Sequence, residues 1–165
     1  LYSLYRIHFG YFGGQWTRII WFFLGLALTI VSVTGINVWL AKRNLDDIVD
    51  RAWLGFVWAT PLALTVSATA SLFTSLTPLP IFLLVVTVPI FVSIKTATMK
   101  TYRQWILITN AAALCLLSAI HCLVYPPAKF GTYLYWMNGS LILLAIVFAL
   151  MAYRSYKRSG GEKSA

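Results

Sequence analysis

Residues 16–40 read WTRIIWFFLGLALTIVSVTGINVWL, an apolar run with one charge, Arg18, near its start. At about 1.5 Å of rise per residue this run exceeds a hydrocarbon core of roughly 30 Å, so it predicts a membrane-spanning helix. It closes on Lys42 and Arg43, a pair suited to holding a helix end at a cytoplasmic surface. The stretch before it, residues 1–15, is rich in Tyr, Phe and Gly and contains His8, one of only 2 histidines in the chain. It does not read as a cleavable signal. Because the chain opens on Leu1 rather than Met, an upstream part of a longer protein is the expectation.

Composition extends this reading to the whole chain. Of 165 residues 60% are hydrophobic and only 10% charged, where a soluble domain carries about 25% charged residues. The net charge of +9 is not a nucleic-acid footprint, because Lys and Arg sit in short clusters at the ends of apolar runs. Cys115 and Cys122 share one apolar segment, about 10 Å apart along a helix, too far for a mutual disulfide.

Residues 41–51 are polar, hold Asp46, Asp47 and Asp50, and read as a connecting loop. From Ala52 to Ile94 the chain is apolar for twice the length one span needs, interrupted by Thr77-Pro78-Leu79-Pro80. Proline removes a backbone donor and disfavours helix before it, so this stretch predicts two spans, 53–73 and 81–98. Pro61 and Pro89 fall inside them, where neighbouring helices must satisfy the freed carbonyls. A fourth span, 104–125, stops at Pro126-Pro127, and a fifth, 133–153, precedes a basic tail, 154–165, that reads as disordered. The fold class is therefore all-α, a polytopic membrane bundle of five helices occupying 16–153.

Alternating the five spans across the membrane sorts the cations. Lys42, Arg43, Arg51, Lys95, Lys100, Arg103, Arg154, Lys157, Arg158 and Lys163 fall on one side and Arg6, Arg18 and Lys129 on the other, 10 against 3. By the positive-inside bias the N-terminus lies outside and the C-terminus in the cytoplasm. Aromatic residues at 2–16 and 125–136 fall at the outer interface, where they serve as anchors.

On this topology His8 and His121 sit near the same outer face. An intramembrane histidine normally faces a partner or a cavity, and neutral imidazole is an axial ligand of haem iron. The pair is a candidate for holding one b-type haem, with Gly10, Gly13 and Gly14 letting the backbone approach a flat macrocycle. The same residues are also open to a plainer role, His121 as a hydrogen-bonding group between helices and His8 as an interfacial side chain. Asn37, Asn110 and Asn138 read as helix–helix glue. No Gly-rich phosphate loop, nucleophile elbow or CxxC is present, and the three aspartates lack His or Cys companions for a metal site.

The opening stretch also carries a family resemblance. Leu4-Tyr5-Arg6-Ile7-His8-Phe9-Gly10 with Phe12-Gly13-Gly14, then Trp21 to Leu26, Val33-Thr34-Gly35, Trp39 and Lys42-Arg43, resembles the PepSY-associated transmembrane family, over residues 4–43. These are bacterial inner-membrane proteins often linked to iron uptake, among them ferric-siderophore reductases. In that family a first helix and a periplasmic domain precede the motif, and histidines from several helices ligate haem. His8 matches the family's histidine before the membrane helix; His121 is nominated by placement and scarcity alone. The resemblance implies a haem b electron-transfer protein of the bacterial inner membrane that reduces ferric chelates at the periplasmic face. Its partners would be the lipid bilayer, a ferric chelate, and an upstream periplasmic domain or other membrane subunits, with no nucleic acid. The alternative is a haem-free accessory subunit packing against a larger membrane complex. Whether the chain is an enzyme, a ferric-chelate reductase, turns on which of these holds.

Overall fold

In the computed structural model, residues 14–43, 48–74, 77–96, 98–125 and 132–161 are described. The regular structure among them is entirely α-helical, in five helices long and apolar enough to cross a membrane. They are α1 (Gly14–Arg43), α2 (Ile48–Ser71), α3 (Pro78–Lys95), α4 (Met99–Val124) and α5 (Thr132–Gly161). The chain divides into two compact units, Leu1–Asp46, which contains α1, and Asp47–Ala165, which contains α2 to α5.

The helices begin and end where terminal chemistry allows, which differs from the apolar runs. α3 starts at Pro78 rather than Ile81, because Pro78 and Pro80 lie in the first turn. There the missing N–H is one of the groups a helix leaves unpaired anyway. It ends at Lys95, and Thr96, in extended conformation, caps it through its N–H to the Val92 carbonyl. α4 begins at Met99, so Lys100 and Arg103 are helical rather than in a loop. α2 likewise takes in Asp50 and Arg51. α5 continues through Arg154 and Lys157 to Gly161, so most of the basic tail extends a membrane helix. Apolar content marks what the bilayer covers, whereas the backbone ladder runs on into the interface.

Several threonine hydroxyls inside the spans are satisfied locally. Thr29 and Thr34 in α1 donate to the Gly25 and Ile30 carbonyls at 2.8 and 2.7 Å. Thr60, Thr65, Thr87 and Thr109 do the same one turn back in their own helices. Such back-bonding removes the cost of carrying a hydroxyl into hydrocarbon. At the end of α1 the Arg43 guanidinium carbon lies 4.2 Å from the Trp39 ring centroid, a cation–π pair suited to an interfacial helix end.

In the second unit α2 and α3 pack as an antiparallel hairpin, and so do α4 and α5. α2 also packs along α4, while α3 and α4 barely touch. The spatial order is thus α3, α2, α4, α5. The α2–α3 seam is built on Gly55, Ala59 and Ala63, spaced four apart and all buried, against Val86 with Phe82, Val85 and Ile90 around them. Such a small-residue stripe lets two backbones approach closely where lipid offers no hydrophobic drive to association. A Cβ on Gly55 would stand 2.9 Å from the Ile90 Cα, so backbone meets backbone there. The α4–α5 seam buries Leu107, Leu114, Ala145, Phe148 and Ala152. Along α2 and α4, Leu54, Trp58, Leu62 and Val66 face Tyr102, Ile106 and Ala113 in a parallel arrangement. Trp58 ties the seams together, meeting Phe148 edge-on at 6.3 Å.

Candidate functional site

These packings gather the second unit's charged groups at one end. The starts of α2 and α4 and the ends of α3 and α5 share one end, which carries Arg51, Lys95, Lys100, Arg103, Arg154 and Lys157 with Asp50. The opposite end has no Lys or Arg among the described residues and carries His121, Ser118 and Asn138.

His121 lies in the last turn of α4, and its ring is half-buried. Its Nδ1 is buried and makes no hydrogen bond to any described residue. The Tyr125 ring stands 5.1 Å away, tilted by 46°, and the Tyr125 N–H closes the helix on the His121 carbonyl at 2.9 Å. One turn earlier on α4, the Ser118 hydroxyl donates to Asn138 Oδ1 across to α5 at 3.2 Å. Asn138 Nδ2 donates to the Leu134 carbonyl at 3.1 Å. Asn138 is thus a helix–helix tie, as its residue type implies.

Asn110 is a tie of the same kind. It is fully buried, and its Nδ2 donates to the Trp58 carbonyl of α2 at 3.1 Å and to the Ile106 carbonyl at 2.8 Å. The α2 carbonyl it reaches is next to that of Val57, which has no helical donor because Pro61 lacks an N–H. At the basic end Arg51 Nη1 donates to the Ile94 and Thr96 carbonyls at 3.4 and 3.1 Å, capping α3. The Ser93 hydroxyl returns a bond to the Arg51 carbonyl at 2.7 Å. Arg103 sits over the Trp58 ring at 5.6 Å. Sequence reasoning placed Arg51 and Arg103 at the polar boundary without roles. Nothing in local pattern signals a cap supplied from 43 residues away in the chain.

His8, Gly10 and Gly13 lie outside the described residues, and Gly14 is the first residue of α1. Cys115 and Cys122 are free and exposed. Among the described residues no three His, Cys, Asp or Glu side chains gather to hold a metal ion. For a haem, His121 offers a half-buried imidazole in the last turn of a membrane-length helix. Its buried Nδ1 lacks the acceptor that usually fixes a ligand's tautomer.

Five apolar membrane-length helices define a multi-pass membrane protein. Residues 1–42 match the family model of the PepSY-associated TM region, which takes in His8 and nearly all of α1. Neither the curated proteins nor the solved structures compared with the chain include a match.

Proposed function

We propose that this chain is the membrane part of a haem b electron-transfer protein of the bacterial inner membrane, which reduces ferric chelates at the periplasmic face. The observation that carries the reading is His121, a half-buried imidazole whose Nδ1 is buried and unmet, at the end of the second unit that has no Lys or Arg among the described residues. The match of residues 1–42 to the PepSY-associated TM region supports it, because that segment contains the other histidine, His8. His121 and His8 are the two imidazoles the sequence offers for holding the iron, and His8 lies outside the described residues. When bound, haem supplies one-electron transfer at a potential set by axial ligands and burial. The chain's own contribution is ligation and the exclusion of water by apolar helices. Reduction of a ferric chelate needs no acid–base residue, which suits a sequence without a nucleophile elbow or CxxC motif.

The test is a dithionite-minus-air difference spectrum on purified full-length protein supplied with haem, wild type beside His8→Ala and His121→Ala. A b-type α-band lost in both variants supports a shared site, and loss in one places the second ligand elsewhere. No band in the wild type refutes the proposal and leaves the haem-free accessory subunit. That second reading draws on the open row of α3, α2, α4 and α5, which leaves broad apolar faces for lipid or another membrane subunit.

A further inference from the structure

The seam between α2 and α4 holds an excess of unmet polar groups. Tyr102, 5% exposed, and Asn110, 0% exposed, lie on the α4 ridge that faces α2. The Tyr102 hydroxyl and Asn110 Oδ1 are both buried without a hydrogen bond to any described residue. On α2 the facing ridge runs through Leu54, Trp58, Leu62 and Val66, and one turn before Leu54 it reaches Asp50. Asp50 Oδ1 is also buried and unmet. Because long helical side chains lean toward the helix N-terminus, the Tyr102 hydroxyl points down the seam toward the level of Asp50. About 12 Å further along α4, Asn110 lies against the Pro61 break, where the Val57 carbonyl has no helical donor.

By this helical register the atoms fall at two levels of the seam, each level with one member on either helix. At the Pro61 break both members, Val57 O and Asn110 Oδ1, are acceptors, so only a molecule with two donors satisfies both. At the basic end Asp50 Oδ1 accepts, and the Tyr102 hydroxyl donates or accepts. A metal cation is disfavoured at Asp50, because Arg51, Lys100 and Arg103 lie on the same end of the same two helices. Successive carbonyls on a helix are about 3–4 Å apart. Asn110 already touches the Trp58 carbonyl at 3.1 Å, which brings its amide to the helical turn that carries Val57 O. Buried waters occupy such places, making two to four hydrogen bonds each, and several unmet buried polar atoms would otherwise consume much of a domain's net stability.

We propose that water binds at two stations along the α2–α4 seam, one bridging Asp50 and Tyr102 and one bridging the Val57 carbonyl and Asn110. The inner station is a hydrated point at mid-depth in an otherwise apolar bundle, set by a proline on one helix and an amide on the other. This does not depend on whether haem is bound.

The experiment is water-to-protein magnetisation transfer by solid-state NMR on the full chain in phosphatidylethanolamine–phosphatidylglycerol bilayers. Transfer to the Asn110 and Tyr102 side chains is expected, against none above background at Leu107 and Ala59. Pro61→Ala restores the N–H to Val57, so transfer at Asn110 should be lost while that at Tyr102 persists. Tyr102→Phe gives a second readout that needs no assignment. A hydroxyl bonded to water is missed when removed and Tm falls, whereas removal of a dry, unmet hydroxyl leaves Tm unchanged or raises it. Background transfer at both side chains in wild type overturns the proposal, as does an unchanged or raised Tm for Tyr102→Phe. Persistence of the Asn110 signal in Pro61→Ala overturns the inner station.

Discussion

Gly55→Ala tests the packing on which the second unit rests. The added methyl would meet the Ser93 hydroxyl and would stand 2.9 Å from the Ile90 Cα and 3.1 Å from the Ser93 Cβ. Carbon atoms settle at about 3.5–4.0 Å, and the Ile90 Cα is backbone, so α3 itself must move. Overpacking of this kind costs about 1–3 kcal/mol. The Ser93 bond to the Arg51 carbonyl, 2.7 Å long, crosses the same point, and its loss adds about 1 kcal/mol. Alanine's better helix propensity returns about 1 kcal/mol, leaving a net loss of about 1–3 kcal/mol. For a chain of this size that lowers Tm by roughly 2–12 °C, at about 2–4 °C per kcal/mol. The assay is thermal unfolding of purified protein in detergent, followed by circular dichroism. Gly139→Ala is the control, since a Cβ there meets nothing within 4 Å, and its Tm should hold or rise. Equal shifts for the two variants, or no loss in Gly55→Ala, would refute a backbone-to-backbone α2–α3 contact.

Arg51→Ala removes both donors to the end of α3. It should cost about 1.5–3 kcal/mol, as expected for charged hydrogen bonds, and Arg51→Lys should recover only part of that in the same melt. A double-mutant cycle of Ser118→Ala and Asn138→Ala should give a coupling of about 0.6 kcal/mol, the average for interhelical hydrogen bonds in membranes; zero coupling would mean the contact is incidental. Reporter fusions at the C-terminus should be active only in a cytoplasmic reporter such as green fluorescent protein, from the 10-to-3 cation bias. An active periplasmic phosphatase there would reverse the topology.

Two aspects of this protein were legible without coordinates because each depends on composition summed over many residues. Apolar runs such as 16–40 declare membrane helices, since a bilayer demands about 20 apolar residues whatever their neighbours. The clustering of Arg51, Lys95, Lys100, Arg103, Arg154 and Lys157 at one end of the second unit follows from counting spans. Helix limits were less legible. Pro78 and Pro80 read as breakers but stand where a helix begins, because the penalty of a proline depends on whether its N–H was needed. Of the candidate site, sequence singled out His121 by rarity, while His8 lies outside the described residues.

The burial of His121 Nδ1 without a partner was settled by tertiary packing. The same holds for the pairing of Asn110 with a carbonyl 52 positions earlier and of Arg51 with the end of α3. Spacing along one helix assigns residues to a face, but not which helix covers that face. Insertion in a bilayer is decided by each segment's own apolar surface, so the chain's sequence alone determined it. The row α3, α2, α4, α5 depends instead on small side chains and single hydrogen bonds between distant segments, which exist only once the helices have met.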